Sequence, residues 1–351
     1  PMTRVLIAAG GTAGHVVPAL AVAGELRSLG ADVAWIGGER AEAELVPAAG
    51  HRLHRVAVRG LSRSNPLAAV RAAGLAARAT ARAVGLMRAE RPGAVFGAGG
   101  YVAGPAGAAA VLRRVPLVLA EADSHLGITN RLLAPFARRV CLAFPIEGRG
   151  EPKYRVTGRP VPPPAADREG ARAELGVGRD EDLVLVFGGS LGARSVNKAA
   201  IEAFAGAPFR VLHAAGQRDF AELQAPRSGY DLRAYLPTEA FSRALLASDL
   251  VVARAGGSIF EICSHGRPAV LVPYPHASAD HQTANARWMA DAGAAVIVPD
   301  AELTGPRLAR EVAALFADRA RLQAMGKASS ALARPGAAAA VADEVLAAAG
   351  A

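Results

Sequence analysis

The chain has 351 residues, of which 52% are hydrophobic, with a formal net charge of +9. This length suits about two domains, each with a core of ordinary size. The longest weakly polar run, residues 102–112, is too short to span a bilayer, and no charged segment precedes a long apolar one. We therefore expect neither a transmembrane helix nor a signal peptide. The two cysteines lie in apolar runs, which predicts buried thiols in a reducing cytoplasm.

The positive charge belongs to the first half of the chain. Residues 1–160 hold 21 Lys and Arg against 10 Asp and Glu, whereas residues 161–351 hold 19 against 21. Eight arginines and one acidic residue, interleaved with leucine and valine, stand between Arg55 and Arg91. Such a face favours an anionic membrane surface over nucleic acid, because the segment lacks aromatic residues for base stacking. A solvated arginine face on a helix is the alternative.

In the first half, apolar runs alternate with helical patterns. Strands are predicted at 4–9, 32–37, 53–58, 94–97, 116–120 and 139–143. Helices are predicted at 15–29, 40–49, 104–113 and 126–137, and over the arginine-rich region that follows residue 58. The alternation predicts an α/β fold with a parallel sheet.

Four prolines within residues 160–164 mark a linker, since this density suits neither a helix nor a central strand. Strands are then predicted at 183–187, 209–213, 232–235, 250–253, 269–273 and 295–298. Helices are predicted at 194–205, 238–247, 258–265 and 281–291, over 304–333, and from about 337. The predicted domains are therefore residues 1–160 and 161–335.

Two glycine turns, at residues 10–14 and 188–192, each join a strand to a helix. Such a junction lets the backbone approach an anion that the helix N–H groups face. The pair predicts two doubly wound domains facing one another, with a phosphate-bearing ligand between them. Thr12 stands where a dinucleotide fingerprint requires glycine, and Glu39 is a poor substitute for its acidic residue, which weakens a dehydrogenase interpretation.

His15 is predicted in the first turn of a helix, where the dipole disfavours a positive charge. A neutral histidine there suits a general base, although a loop histidine that only caps or packs is the alternative. Residues 97–104 form a second glycine loop in this half. A backbone cradle for a phosphate and a crowded strand–helix corner both explain it.

In the second half, Gly256 and Gly257 open a helix after a strand and predict a diphosphate site. Glu261 then suits the two hydroxyls of an attached ribose, although Ser258 and Glu261 also have the spacing of a capping box. Residues 276–285 suit sugar hydroxyls, or are an ordinary polar loop before a helix. His276, Asp280 and His281 lack strong metal-ligand spacing, so we expect no metal and no other cofactor.

Six segments in this order resemble the MurG family of N-acetylglucosaminyltransferases of peptidoglycan synthesis, over essentially the full chain. They are Gly10-Gly11-Thr12-Ala13-Gly14-His15, Gly99-Gly100-Tyr101-Val102-Ala103-Gly104-Pro105, Gly127-Ile128-Thr129-Asn130-Arg131, Gly188-Gly189-Ser190-Leu191-Gly192-Ala193, Arg254-Ala255-Gly256 and Asp280-His281-Gln282-Thr283-Ala284-Asn285-Ala286. The resemblance implies a GT-B fold of two facing Rossmann-like domains, with the last helix, 336–351, completing the first. It implies transfer of GlcNAc from UDP-GlcNAc to the C4 hydroxyl of undecaprenyl-diphosphate-MurNAc-pentapeptide, by a cytoplasmic enzyme peripheral on the inner face of the cell membrane.

The resemblance also implies roles for individual residues. The donor would be held in the second domain, with these residues contributing: Ser190, Arg159, Leu236, Arg254, Gly256, Gly257, Ser258, Glu261, His281 and Gln282. The acceptor would be held in the first domain by Gly11, Thr12, Gly14, His15, Gly99, Gly100, Tyr101 and Asn130. His15 or Asp123 would be the base, and Arg159 or Arg254 would stabilise the leaving UDP together with helix N-termini.

Three departures from the family pattern indicate a divergent branch with the same activity. Residues 120–123 are Ala-Glu-Ala-Asp where the family usually has His-Glu-Gln-Asn, and residues 158–162 are Gly-Arg-Pro-Val-Pro where it has Gly-Asn-Pro-Val-Arg. The loop between Gly256 and Glu261 is one residue short. Two alternatives share the architecture: a UDP-GlcNAc 2-epimerase, and a glycosyltransferase acting on another lipid or a natural product.

Overall fold

The computed structural model describes residues 2–58, 66–277 and 280–350, and only the backbone of residues 66–73. Of the predicted basic stretch, Arg59 and Arg63 therefore lie outside the described residues, and so do Ser278 and Ala279 of the polar segment. The chain divides into two compact units, each built on a parallel sheet. Unit 1 is Pro1–Pro162 with Arg334–Ala351, and unit 2 is Pro163–Ala333.

Unit 1 alternates strands and helices, as its sequence predicts. Its strands are β1 (Arg4–Ala9), β2 (Asp32–Gly37), β3 (Arg52–Arg55), β4 (Ala94–Gly99), β5 (Leu117–Glu121), β6 (Arg139–Leu142) and β7 (Tyr154–Val156). Its helices are α1 (Ala13–Ser28), α2 (Ala41–Ala48), α3 (Pro66–Glu90), α4 (Ala103–Arg113), α5 (Ile128–Leu133) and, from the end of the chain, α13 (Ala337–Ala349). The strand order is β3-β2-β1-β4-β5-β6-β7, and the pairs are parallel.

Strand β1 shows why this sheet forms. Its run of apolar residues is buried on both faces, as is typical of a parallel strand covered by helices on each side. Val5 and Ile7 belong to the core that includes Val341 and Val345 of α13, whereas Leu6 belongs to the core with residues of α3 and α4. The last helix of the chain is therefore part of the first unit's core.

Unit 2 repeats the arrangement. Its strands are β8 (Leu183–Phe187), β9 (Arg210–Ala214), β10 (Tyr230–Arg233), β11 (Leu250–Ala253), β12 (Ala269–Leu271) and β13 (Ala295–Ile297). Its helices are α6 (Arg168–Glu174), α7 (Arg194–Ala203), α8 (Thr238–Ala247), α9 (Ile259–Ser264), α10 (His281–Asp291), α11 (Gly305–Ala317) and α12 (Arg319–Leu332). The strand order is β10-β9-β8-β11-β12-β13.

The predicted α/β class with parallel sheets is confirmed. Two short elements, β7 and α6, escaped the sequence analysis, because three and seven residues are too few to show a period. The helix predicted at 126–137 is shorter: α5 ends at Leu133, and a 3₁₀ turn, Ala134–Phe136, follows it.

Each sheet reverses its strand order at one point, between β1 and β4 in unit 1 and between β8 and β11 in unit 2. Connections from neighbouring strands diverge to opposite faces there and leave a crevice at the carboxyl ends. The four loops that the sequence singled out, at 10–14, 99–104, 188–192 and 254–258, follow these four strands. Topology therefore places the predicted site residues at the position where such sheets bind ligands.

Candidate active site

His15 lies where the two glycine loops of unit 1 meet. Helix α1 begins at Ala13, and the side chain of its N-cap residue, Thr12, makes no capping hydrogen bond. His15 is in the first turn and is partly buried. A Cβ atom built on Gly99 would lie 2.8 Å from its Nδ1 atom, so the second loop passes directly against the imidazole. The structure thus brings together His15 and the loop at 99–104.

Three features of its environment act on the pKa of the imidazole. Burial lowers the pKa of His15 below its usual value, and the positive charge of Arg159 lowers it further. The carboxylate of Asp123 acts in the opposite direction, but it does not outweigh them. His15 is therefore neutral near pH 7, as a general base must be before it accepts a proton.

Arg159 lies beside this histidine. Its guanidinium donates a hydrogen bond to the carbonyl of Gly14, the residue that precedes His15. Arg159 is predicted to bind the donor, whereas it belongs to unit 1 and lies at the start of α1. A small cavity of about 30 Å³, lined in part by His15, Glu121 and Arg159, lies at this point and has room for water.

Glu121, at the end of β5, is buried and holds the loop that carries Asp123. Its carboxylate accepts hydrogen bonds from the backbone of Asp123 (3.1 Å) and Gly127 (2.8 Å), and from Asn130 Nδ2 (2.8 Å). Burial raises the pKa of Glu121, and these hydrogen bonds oppose the rise. Asn130 also donates to the carbonyl of Ala120 (2.9 Å). Its amide nitrogen, predicted to bind the acceptor, is thus engaged inside unit 1.

Glu42 is a residue that the sequence analysis missed. Its carboxylate is fully buried and accepts hydrogen bonds from Gly11 N (2.9 Å), Gly38 N (2.8 Å) and Tyr101 Oη (2.8 Å). Gly11 and Tyr101 are both predicted to bind the acceptor, and in the structure the Gly11 amide and the Tyr101 hydroxyl donate to this carboxylate. Helical spacing was the available signal, because Glu42 shares a face with Val46, which is also fully buried.

The glycine loop after β8 presents Ser190 to solvent. Gly189 and Gly192 have φ angles of +93° and +83°, which L side chains rarely adopt. A Cβ atom on Gly192 would lie 2.0 Å from the carbonyl oxygen of Ala215, so this turn packs directly on the backbone after β9. Ser190 is exposed at its tip, in a position suited to contact a ligand.

The turn after β11 lacks the serine hydrogen bond of the predicted capping box. Helix α9 begins at Ile259, and Ser258, its N-cap residue, makes no side-chain capping hydrogen bond. The capping-box alternative for Ser258 is therefore wrong, and Glu261 is partly buried in the first turn of α9. A Cβ atom on Gly256 would lie 3.9 Å from Gln282 Nε2. The structure thus brings the turn close to the start of α10, where His281 also lies.

Arg254, at the end of β11, contacts several polar groups of unit 2. Its side chain is buried, and its guanidinium contacts Asp300 (2.7 Å) and Ser195 Oγ (2.8 Å). It also donates to the carbonyls of Val272 and Pro273, both at 3.2 Å. These contacts hold the end of β11 to the neighbouring segments. Its predicted role at the leaving UDP stays a prediction.

Leu236, predicted to present its backbone to uracil, follows β10, and its side chain is buried. Across residues 2–58, 66–277 and 280–350, no three or more His, Cys, Asp and Glu side chains are grouped to hold a metal ion. Over the same ranges, the helices are too short or too polar to span a membrane.

Comparisons with known proteins agree with the fold and cover both units. Residues 5–142 match the glycosyltransferase family 28 N-terminal domain, and residues 183–341 match the glycosyltransferase family 28 C-terminal domain. The chain is 42% identical, over 98% of each sequence, to the UDP-N-acetylglucosamine–N-acetylmuramyl-(pentapeptide) pyrophosphoryl-undecaprenol N-acetylglucosamine transferase of Moorella thermoacetica.

A transferase of the same name from Alkalilimnicola ehrlichii is 44% identical, over 96% of this chain and 97% of that protein. Among solved structures, the crystal structure of Acinetobacter baumannii MurG superposes with a TM-score of 0.75 at 30% identity, over 99% of each chain. The similarity is therefore to complete proteins rather than to one shared domain.

Proposed function

The chain belongs to glycosyltransferase family 28, and we propose on that ground that it transfers N-acetylglucosamine from UDP-N-acetylglucosamine to undecaprenyl-pyrophosphoryl-N-acetylmuramyl-pentapeptide. It is an N-acetylglucosaminyltransferase of peptidoglycan synthesis. The observation that carries the proposal is 42% identity to a named transferase over 98% of both chains. Sequence identity over nearly the whole of both chains favours this reaction over the epimerase and natural-product alternatives.

The donor binds to unit 2. Ser190 and the backbone amides of Gly256 and Gly257 follow the two strands at the switch point, so they face one crevice and suit the diphosphate. Glu261, in the first turn of α9, accepts hydrogen bonds from the ribose hydroxyls. His281 and Gln282, at the start of α10, bind the hydroxyls of the sugar. The exposed Ser190 supports this arrangement.

The acceptor binds to unit 1, with its diphosphate at the uncapped start of α1 and its C4 hydroxyl toward His15. The neutral imidazole removes the hydroxyl proton as the oxygen attacks the anomeric carbon. The bond to UDP breaks on the opposite side, so the configuration inverts. The lowered pKa of His15 supports this role, because a protonated imidazole accepts no proton.

A surface on unit 1 suits the membrane that holds a polyprenyl acceptor. Leu112 of α4 and Ile128 and Leu132 of α5, with Phe136 just beyond, are each more than 60% exposed. Helix α4 packs against both α3 and α5, and exposed arginines flank these apolar side chains. An apolar patch among cationic side chains is typical of a peripheral contact with anionic lipid. The proposed contact would hold the enzyme on the inner face of the cell membrane.

The reaction is tested with purified protein, UDP-N-acetylglucosamine and a short-chain analogue of the lipid-linked muramyl pentapeptide. We expect UDP release that depends on the acceptor, together with the disaccharide product by mass spectrometry. UDP release without acceptor would instead point to hydrolysis or epimerisation. Absence of product under conditions in which the protein binds UDP would contradict the proposed reaction.

The membrane contact is tested by co-sedimentation with vesicles that contain phosphatidylglycerol. Replacing Leu132 and Phe136 by serine and Arg131 and Arg138 by glutamate should weaken binding at least about tenfold, since each cation near such a surface contributes about 1 kcal/mol. Reversal of exposed arginines in unit 2, Arg179 and Arg310, is the matched control. Equal binding by both variants would remove this surface from the proposal.

A further inference from the structure

Glu42 connects three loops of unit 1 through one carboxylate. Its Oε2 atom accepts from Gly11 N in the loop after β1, and its Oε1 atom accepts from Gly38 N after β2 and from Tyr101 Oη after β4. The side chain lies in the first turn of α2 and is fully buried. Burial by itself would raise the pKa of Glu42, but the hydrogen bonds outweigh it and the pKa is lowered. The buried group is thus a carboxylate at neutral pH.

The backbone around this carboxylate is packed too closely for side chains. A Cβ atom on Gly10 would lie 2.8 Å from Glu42 Oε1, and one on Gly38 would lie 2.5 Å from Tyr101 Oη. A Cβ atom on Gly100 would lie 1.8 Å from the carbonyl oxygen of Gly10. The two glycine loops therefore touch through their backbones, and Glu42 ties both of them to β2.

The carboxylate also occupies a backbone donor that a ligand would otherwise use. Gly11 N, which follows β1 at the switch point, already binds an anion, namely Glu42. The amides of Ala13 and Gly14 follow in the first turn of α1, where Thr12 provides no side-chain cap. A ligand diphosphate is therefore directed to the start of α1, next to His15, rather than to Gly11.

We propose that Glu42 is a positioning residue, which fixes the glycine loops of unit 1 in the conformation that binds the diphosphate of the lipid-linked acceptor. This inference rests on the proposed function. Glu42 touches no reacting atom, and it acts through the backbone of Gly11 and the hydroxyl of Tyr101. The loops without it would have to be ordered by the acceptor itself, which would weaken acceptor binding.

Substitution by glutamine is the sharp test, because it keeps the size of the side chain but removes its charge and one of its two acceptor oxygens. An amide has one oxygen, whereas backbone N–H groups approach both oxygens of Glu42. In one orientation the NH₂ group of the amide would face Gly11 N–H, and in the other it would face Gly38 N–H. In each case two donors would face each other without an acceptor between them.

The experiment measures steady-state transfer by Glu42→Gln and by the control Glu44→Gln, an exposed glutamate on the same helix. We expect the KM for the acceptor analogue to rise about tenfold or more in Glu42→Gln, consistent with loss of a charged hydrogen bond. The KM for UDP-N-acetylglucosamine and the affinity for UDP should change less than about twofold. The control should match the wild type in each value.

Thermal unfolding of each variant separates positioning from stability alone. A lowered midpoint with an unchanged acceptor KM would overturn the proposal, and so would an equal rise in both KM values. If Glu42→Gln does not fold, Tyr101→Phe removes one of the three donors and should raise the acceptor KM by a smaller factor; no rise would overturn the proposal. A wild-type protein that transfers no sugar would instead contradict the proposed function.

Discussion

The two units share one topology and differ in the chemistry at their switch points. Unit 1 surrounds its crevice with ionisable groups whose pKa values are shifted, namely His15, Glu42 and Glu121. In unit 2 the corresponding loops present Ser190 and glycine backbone, and the nearby charge of Arg254 is neutralised by Asp300. A doubly wound sheet therefore provides the place for a ligand, while the residues after its strands decide what happens there.

This contrast has a physical basis. Backbone amides and hydroxyls bind a diphosphate without gaining or losing a proton, so the crevice of unit 2 suits a nucleotide that must be held and released. A buried imidazole beside a guanidinium is poised to accept a proton near neutral pH, so unit 1 suits the step in which a bond forms. Changes in unit 1 should then alter turnover or acceptor binding, and changes in unit 2 should alter donor binding.

The largest effect is expected from His15→Ala. Removing a general base lowers kcat by about 100-fold or more, whereas the affinity for UDP, measured by calorimetry, should stay within about twofold. Asp123→Asn is the comparison that identifies the base: if it costs more turnover than His15→Ala, Asp123 has the role proposed for His15. Full turnover by His15→Ala would contradict the division of labour between the units.

A smaller effect is expected from Glu261→Ala in unit 2. Loss of a carboxylate that accepts two ribose hydroxyls should raise the KM for UDP-N-acetylglucosamine about tenfold, with the acceptor KM unchanged. Glu222→Ala, which removes an exposed glutamate of the same unit, is the control. An unchanged donor KM would show that the ribose is bound elsewhere.

Glu344→Gln tests whether the last helix is an integral part of unit 1. Glu344 is buried on α13 and accepts hydrogen bonds from Arg139 (2.6 Å) and Arg155. Since both arginines are partly exposed, we expect the free energy of unfolding to fall by about 1–2 kcal/mol. Asp343→Asn, on an exposed position of the same helix, should change it little; equal losses in a denaturant titration would refute the specific contribution.

The carboxylate of Glu344 also makes the stability of the protein depend on pH. Burial would raise the pKa of Glu344, but its arginine partners outweigh burial and the pKa is lowered. A carboxylate with a lowered pKa in the folded state stabilises the protein above its unfolded pKa and loses this contribution as the pH falls. The difference between the wild type and Glu344→Gln should therefore shrink at acidic pH below about 4.5.

The smallest effect is expected from Arg159→Gln, which tests the electrostatic influence of Arg159 on His15. The guanidinium lowers the pKa of His15, so its removal should raise that pKa. The acidic limb of the kcat/KM profile should then move toward higher pH, with moderate loss at the optimum. A limb that stays in place would show that Arg159 does not act on the base.

The sequence predicted more of the crevice of unit 2 than of the crevice of unit 1. The glycine turns after β8 and β11 are local patterns, and Ser190, Gly256 and Glu261 lie close to them along the chain. Glu42 lies 31 residues from Gly11 and 59 from Tyr101, so no local pattern connects them. The basic stretch near Arg59 lies partly outside the described residues, and its predicted role stays a prediction.

The α/β class and the positions of the glycine loops can be predicted from the amino-acid sequence, because apolar runs and turn residues act over a few neighbouring positions. Which polar groups meet depends on the tertiary structure. It brought Arg159 to His15 across 144 positions of the chain and engaged Arg254 with Asp300. An unpaired buried charge is costly, so buried charged groups are paired in the folded protein. The partner can come from any element packed nearby, however distant it is in sequence.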